Sequence, residues 1–157
     1  MKKSTIPVKY GVLIALGLII YFLILALIGV QTNPVFSLGN GFIVAYGLYI
    51  AMKKYKKEKS SDFDYQKGFM AGLFTGFNAT LIFTIFFAIY VTNINTSFLP
   101  EMLANWSSHY HVGVGIVVFI AAIMGFATTF VLTLSFMQLF KESWNPKRSH
   151  NSRPVEI

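Results

Sequence analysis

Cysteine is absent from the 157-residue chain. That excludes a disulfide framework, a thiolate zinc site and a thiol nucleophile. Charge is scarce as well. Asp, Glu, Lys and Arg make up 12 % of the residues against 55 % hydrophobic ones, where a soluble domain carries about a quarter charged. With a mean hydropathy of +0.60, this composition excludes an ordinary water-soluble globule. The chain is also too short for two sizeable domains. Carboxylates are the rarer charged type: six Asp and Glu stand against 13 Lys and Arg, a net charge of +7. Such a balance in a soluble protein points to nucleic acid. Here the charges lie beside long apolar runs, which points to a lipid surface and excludes a nucleic-acid partner.

The placement of the missing charges gives the architecture. No Asp, Glu, Lys or Arg occurs from Tyr10 to Met52, from Gly68 to Pro100, or from Met102 to Phe140. A bilayer core about 30 Å thick needs roughly 20 apolar helical residues. The first stretch would run roughly 65 Å as one helix, twice that thickness. The polar break Gln31-Thr32-Asn33-Pro34 divides it, because Pro34 cannot continue a helix begun upstream. The sequence therefore predicts an all-α polytopic membrane protein with spans near 8–30, 36–54, 64–92 and 110–140. Residues 1–145 read as one membrane domain and 146–157 as a flexible basic tail. The first span is too long for a signal-peptide core and lacks a cleavage site, so it reads as a permanent helix. Ser61 with Asp64 three residues on suggests a capping box at the start of the third span.

All basic residues fall in three places. Lys2, Lys3 and Lys9 precede the first span. Lys53, Lys54, Lys56, Lys57, Lys59 and Lys67 lie between the second and third, and Lys141, Lys147, Arg148 and Arg153 follow the fourth. With four spans in an up-down bundle, these segments share one side. Lys/Arg bias then sets both termini and the middle loop in the cytoplasm of a bacterial inner membrane. Lys53, Lys54, Lys56, Lys57 and Lys59 read first as a topology determinant resting on anionic headgroups, and second as a docking site for a specific phospholipid or acidic partner.

Small residues at four-residue spacing mark the packing faces. The third span carries Gly68, Gly72, Gly76, Thr80, Thr84 and Ala88, flanked by Ala71, Thr75 and Ala79. The fourth carries Ala121, Gly125, Thr129 and Thr133, and the second Ser37, Gly41 and Ala45. In lipid, close backbone approach at such residues holds helices together. Each four-residue step turns the row by about 40°. Gly68 to Gly76 should therefore meet one helix and the outer half another. The first span is bulky and reads as the most lipid-exposed. The rows read as seams within one chain; the alternative is that one row, that of the third span before the others, makes a homodimer or docks a larger membrane complex.

Groups able to carry chemistry are few. No ionisable side chain lies inside a span, which argues against proton-coupled antiporters and pumps. Asn40 and Asn78 are the amides at depth; they read as interhelical glue or as the polar lining of a solute path. His109 and His111, with Glu101, form only a weak metal pattern, so no metal or cofactor is expected. Ser107 and Ser108 lack the base and oxyanion donor of a nucleophilic site. The leading reading is a non-enzymatic inner-membrane protein acting by helix packing, as an accessory or assembly subunit or a homo-oligomer. The alternatives are a small-solute transporter or channel around Asn78, and a membrane-embedded enzyme using the outer-loop His and Glu.

Several local texts carry a family resemblance. They are Lys9-Tyr10-Gly11, Met52-Lys53-Lys54-Tyr55-Lys56, Tyr65-Gln66-Lys67-Gly68-Phe69-x-x-Gly72 and Ile89-Tyr90. Together they resemble the bacterial domain-of-unknown-function family 4199, small inner-membrane proteins, over roughly residues 5–140. The resemblance implies four spans and brings no activity, cofactor or catalytic residue.

Overall fold

The computed structural model describes residues 4–31, 33–59, 63–104 and 113–140. They form α1 (Ile6–Ile28), α2 (Pro34–Glu58), α3 (Tyr65–Ile89), a short α4 (Phe98–Ala104) and α5 (Val114–Phe140). A π-helical turn over Tyr90–Ile94 prolongs α3. Four helices, α1, α2, α3 with its π-turn, and α5, are long and apolar enough to cross a membrane.

The helix ends follow local chemistry. α1 opens with Pro7 in its first turn, where the missing N–H is no loss. It closes on Gly29, whose φ of 78° is the left-handed conformation that glycine adopts without strain. The Val30 N–H then reaches back to the Leu25 carbonyl at 3.1 Å. The Asn33 side chain accepts the Val35 N–H at 3.0 Å and caps α2, with Pro34 as its first residue. Asp64 caps α3 by accepting the Tyr65 N–H at 2.8 Å. Asp64 is thus the cap itself and not the third helical residue of a capping box. Ser61 lies outside the described residues.

Two boundaries depart from the sequence expectation. α2 runs through the lysine cluster to Glu58 rather than ending near residue 54, because Lys and Glu are good helix formers and cations suit a helix C-terminus. α4 occupies part of what reads as a plain outer loop. Its Pro100 sits in the first turn, where a helix tolerates proline.

Residue contacts give the topology. Added side chains at Gly17 and Gly47 would meet Ile43 and Ile14, and the Tyr21 hydroxyl donates to the Phe36 carbonyl at 2.8 Å. Numbers rise on α1 as they fall on α2, so the two are antiparallel. Gly11 lies against Thr75 to Ala79, and Phe22 meets Phe83, Phe87 and Tyr90, so α1 and α3 run parallel. Gly68, Gly72 and Gly76 face Met137, Thr133 and Thr129, so α3 and α5 are antiparallel. The result is an up-down-up-down arrangement in which α3 packs on α1, α2 and α5.

The core has two parts. Ile14, Leu18, Leu48 and Ala79 join α1, α2 and α3. Phe22, Phe87, Tyr90, Val91, Phe98 and Leu99 close the end that carries α4. Phe22 stands edge-on to Phe87 at 5.8 Å and to Tyr90 at 5.0 Å, the geometry aromatic quadrupoles favour. This corrects one sequence expectation. α1 is not the most exposed span: 33 % of its most apolar window is buried, against 6 % for α5. Its bulky Ile14, Leu18, Phe22 and Leu25 form an inward stripe, and Gly11 and Ala15 are buried with them.

Candidate functional site

The α3–α5 seam is built in a constant register. The glycines of one helix receive the threonines of the other. An added Cβ at Gly72 would lie 2.6 Å from Thr133 Cγ2, and one at Gly125 would lie 2.6 Å from Thr80 Cγ2. At Gly76 it would overlap Thr129 Cγ2 and Oγ1. Four-residue rows on both helices are the spacing of close, right-handed membrane-helix pairs. Thr129 and Thr133 are 2 % and 0 % exposed, and their hydroxyl oxygens have no hydrogen-bond partner. Each lies beside a glycine of α3, where weak Cα–H···O contacts are available. Thr75 and Thr128 instead donate to their own helix, to Ala71 and Met124, each at 2.8 Å.

The seam distributes the predicted residues differently from expectation. Gly68, Gly72, Gly76 and Thr80 all face α5, one step beyond the inner half. The contact with α1 is made by the flanking row. An added Cβ at Gly11 would lie 2.8 Å from the Thr75 carbonyl oxygen and 2.8 Å from Asn78 Cβ. The sequence reading did not single out Gly11, Gly17 or Gly47 as contact residues. The Gly11-x-x-x-Ala15 spacing was the available signal. Ala121 packs on the aromatic cluster near α4. The α2 row stands apart: an added Cβ at Gly41 meets nothing within 4 Å.

The two amides do not meet. Asn78 Nδ2 donates to the Phe74 carbonyl of its own helix at 2.7 Å. Asn40 Oδ1 is buried with no partner. The contact of Met52 with Gly72 sets the α2–α3 register and puts Asn40 roughly 9 Å further along the bundle than Asn78. A groove of about 300 Å³ between α3 and α5 is lined by Phe74, Phe77, Phe126 and Phe130 among others, and neither amide lines it. Asn78 is therefore committed to its own backbone.

Among the described residues, the lysines gather at one end. Lys9 lies at the start of α1, Lys53, Lys54, Lys56, Lys57 and Lys59 at the end of α2, and Lys67 at the start of α3. The topology gathers these three termini, and Lys56 Nζ donates to the Phe140 carbonyl at the end of α5 at 3.1 Å. Lys53 Nζ stands 5.8 Å over the Tyr49 ring, Lys54 Nζ 5.4 Å over Tyr10, and Lys56 Nζ 5.5 Å over Phe63. At the other end, the charged residue among those described is Glu101, exposed on α4. His109 and His111 lie outside the described residues, as does the tail from residue 141. Among the described residues, no three His, Asp or Glu side chains converge as a metal site would require.

No curated protein and no solved structure matches the chain. The family model described as "Protein of unknown function (DUF4199)" matches residues 9–109. That takes in α1 to α4 and leaves α5 outside, a shorter reach than the local resemblances suggest. With well over half of its length inside the match, the chain belongs to the DUF4199 family.

Proposed function

We propose that the protein is a multi-span component of the bacterial inner membrane. Its lysine-rich end faces the cytoplasm, and it acts without catalysis, by packing against a further membrane helix. The partner helix belongs to a second copy or to a larger complex that this chain assists. The observation that carries the reading is the contrast among small residues. Those at Gly11, Gly47, Gly72, Gly76 and Gly125 are filled by neighbours within the chain. Ser37, Gly41 and Ala45 on α2 form a row of the same kind, open at Gly41. Small residues let another backbone come close, and in lipid that contact is the main attraction between helices. The lysine asymmetry supports the orientation.

Crosslinking tests the reading. The chain lacks cysteine, so Gly41→Cys introduces a single thiol. A crosslinked species in native membranes, matched by a dimer or hetero-complex in native mass spectrometry, is the expected result. A strictly monomeric protein with no crosslink at Gly41→Cys and no co-purifying partner overturns it.

A further inference from the structure

We propose that the α2 face running from Phe42 through Tyr46 to Lys53, with the neighbouring Lys54 and Lys57, is a binding site for one anionic phospholipid. The inference rests on the four helices spanning a bilayer; it does not depend on which end faces the cytoplasm. Phe42 and Tyr46 are 77 % and 69 % exposed, and Lys53 is exposed on the same side. Positions 42, 46 and 53 are four and seven apart, the spacing that keeps residues on one helix face. They cover roughly 16 Å of helix at 1.5 Å per residue. One leaflet of a core about 30 Å thick is about 15 Å deep. The stripe thus has a cation at headgroup level and two open rings reaching down to the bilayer midplane, which fits one acyl chain beneath one acidic headgroup.

The cations are held ready for such a ligand. Lys53 rests over Tyr49, and Lys54 crosses to Tyr10 of α1. A ring contact orients an ammonium while leaving its N–H donors for a phosphate oxygen. Among the described residues, Lys9, Lys53, Lys54 and Lys57 have no carboxylate at ion-pair distance. An acidic protein would satisfy the charges but not the apolar stripe that continues from them, so charge and stripe together favour a lipid. This face is about 100° around α2 from Gly41, so the lipid and a packing helix do not compete.

The test uses the full chain in zwitterionic detergent micelles, with phosphatidylglycerol or phosphatidylcholine of identical chains added and bound lipid counted by native mass spectrometry. Phosphatidylglycerol is expected to be retained preferentially. The triple change Lys53→Gln/Lys54→Gln/Lys57→Gln should lower its retention roughly a hundredfold, at about fivefold per lysine. Phe42→Ala/Tyr46→Ala should weaken both lipids and leave the preference intact. These side chains are exposed, so helical content by circular dichroism should not change. Equal retention of the two lipids by the wild type, or an unchanged preference in the triple variant, overturns the proposal. So does displacement of the lipid by a glutamate-rich peptide, which would assign the site to an acidic protein. Micelles have no inside or outside, and the readout does not involve Gly41. A failure here is therefore distinct from a failure of orientation or assembly.

Discussion

At the residue scale, the same substitution should have opposite effects at glycines that look alike in the sequence. Gly76→Ala would drive a methyl into Thr129, a buried side chain wedged between two helices. Overpacking of this kind costs about 1–3 kcal/mol. Gly41→Ala meets open space; it should be neutral or stabilise by up to about 1 kcal/mol, since alanine is the better helix former. Denaturant unfolding in mixed micelles measures both. Adding Thr129→Ala to Gly76→Ala should recover much of the loss, because the clash needs both side chains. A Gly76→Ala protein as stable as wild type would remove the α3–α5 seam from the account of stability. The rows themselves are visible in the sequence as four-residue spacings. Which rows are filled is not, since Gly72 and Gly41 differ only in what stands opposite them.

At the element scale, helix ends are legible and helix faces are not. The Asn33-Pro34 cap, the Gly29 stop and the charge-free stretches mark where chains of apolar residues must begin and end. Lipid and protein interior are equally apolar, so a span hydrophobic all round shows no stripe to say which side is buried. That is why α1 reads as exposed although it packs Ile14, Leu18 and Phe22 inward. It is also why Gly11 stayed hidden. Gly29 provides the test of an end. Nothing crowds it, but its φ of 78° is left-handed. Gly29→Ala should cost about 1 kcal/mol, in contrast to Gly41→Ala at an equally open position. Equal stabilities for the two variants would mean that the α1–α2 turn does not hold this conformation. Gly11→Leu should do more damage than either, because its side chain would strike the Thr75 carbonyl of α3, and a helix backbone cannot rotate away as a threonine can.

At the scale of the whole molecule, the decisive property is polarity along the bundle axis. Among the described residues, the packing of α1, α2 and α3 brings Lys9 to the same end as the lysines from Lys53 to Lys67, which makes one cationic end. The opposite end offers Glu101 and the hydrogen bond from the Tyr90 hydroxyl to Gln31 Oε1 at 3.1 Å. Each Lys carried to the centre of a bilayer costs about 2.5–3.5 kcal/mol even on the mildest scale, and six of them lie between Met52 and Gly68. Moving that segment across the membrane is therefore the step the sequence most strongly resists. Single cysteines placed in the otherwise thiol-free chain read the outcome. In intact cells, a membrane-impermeant maleimide should label Glu101→Cys and spare Lys57→Cys, with the pattern reversed in inside-out vesicles. Labelling of Lys57→Cys from outside would invert the orientation. Labelling of both sites from one side would mean that α3 does not make a single pass between α2 and α4, and the four-span topology would fall with it.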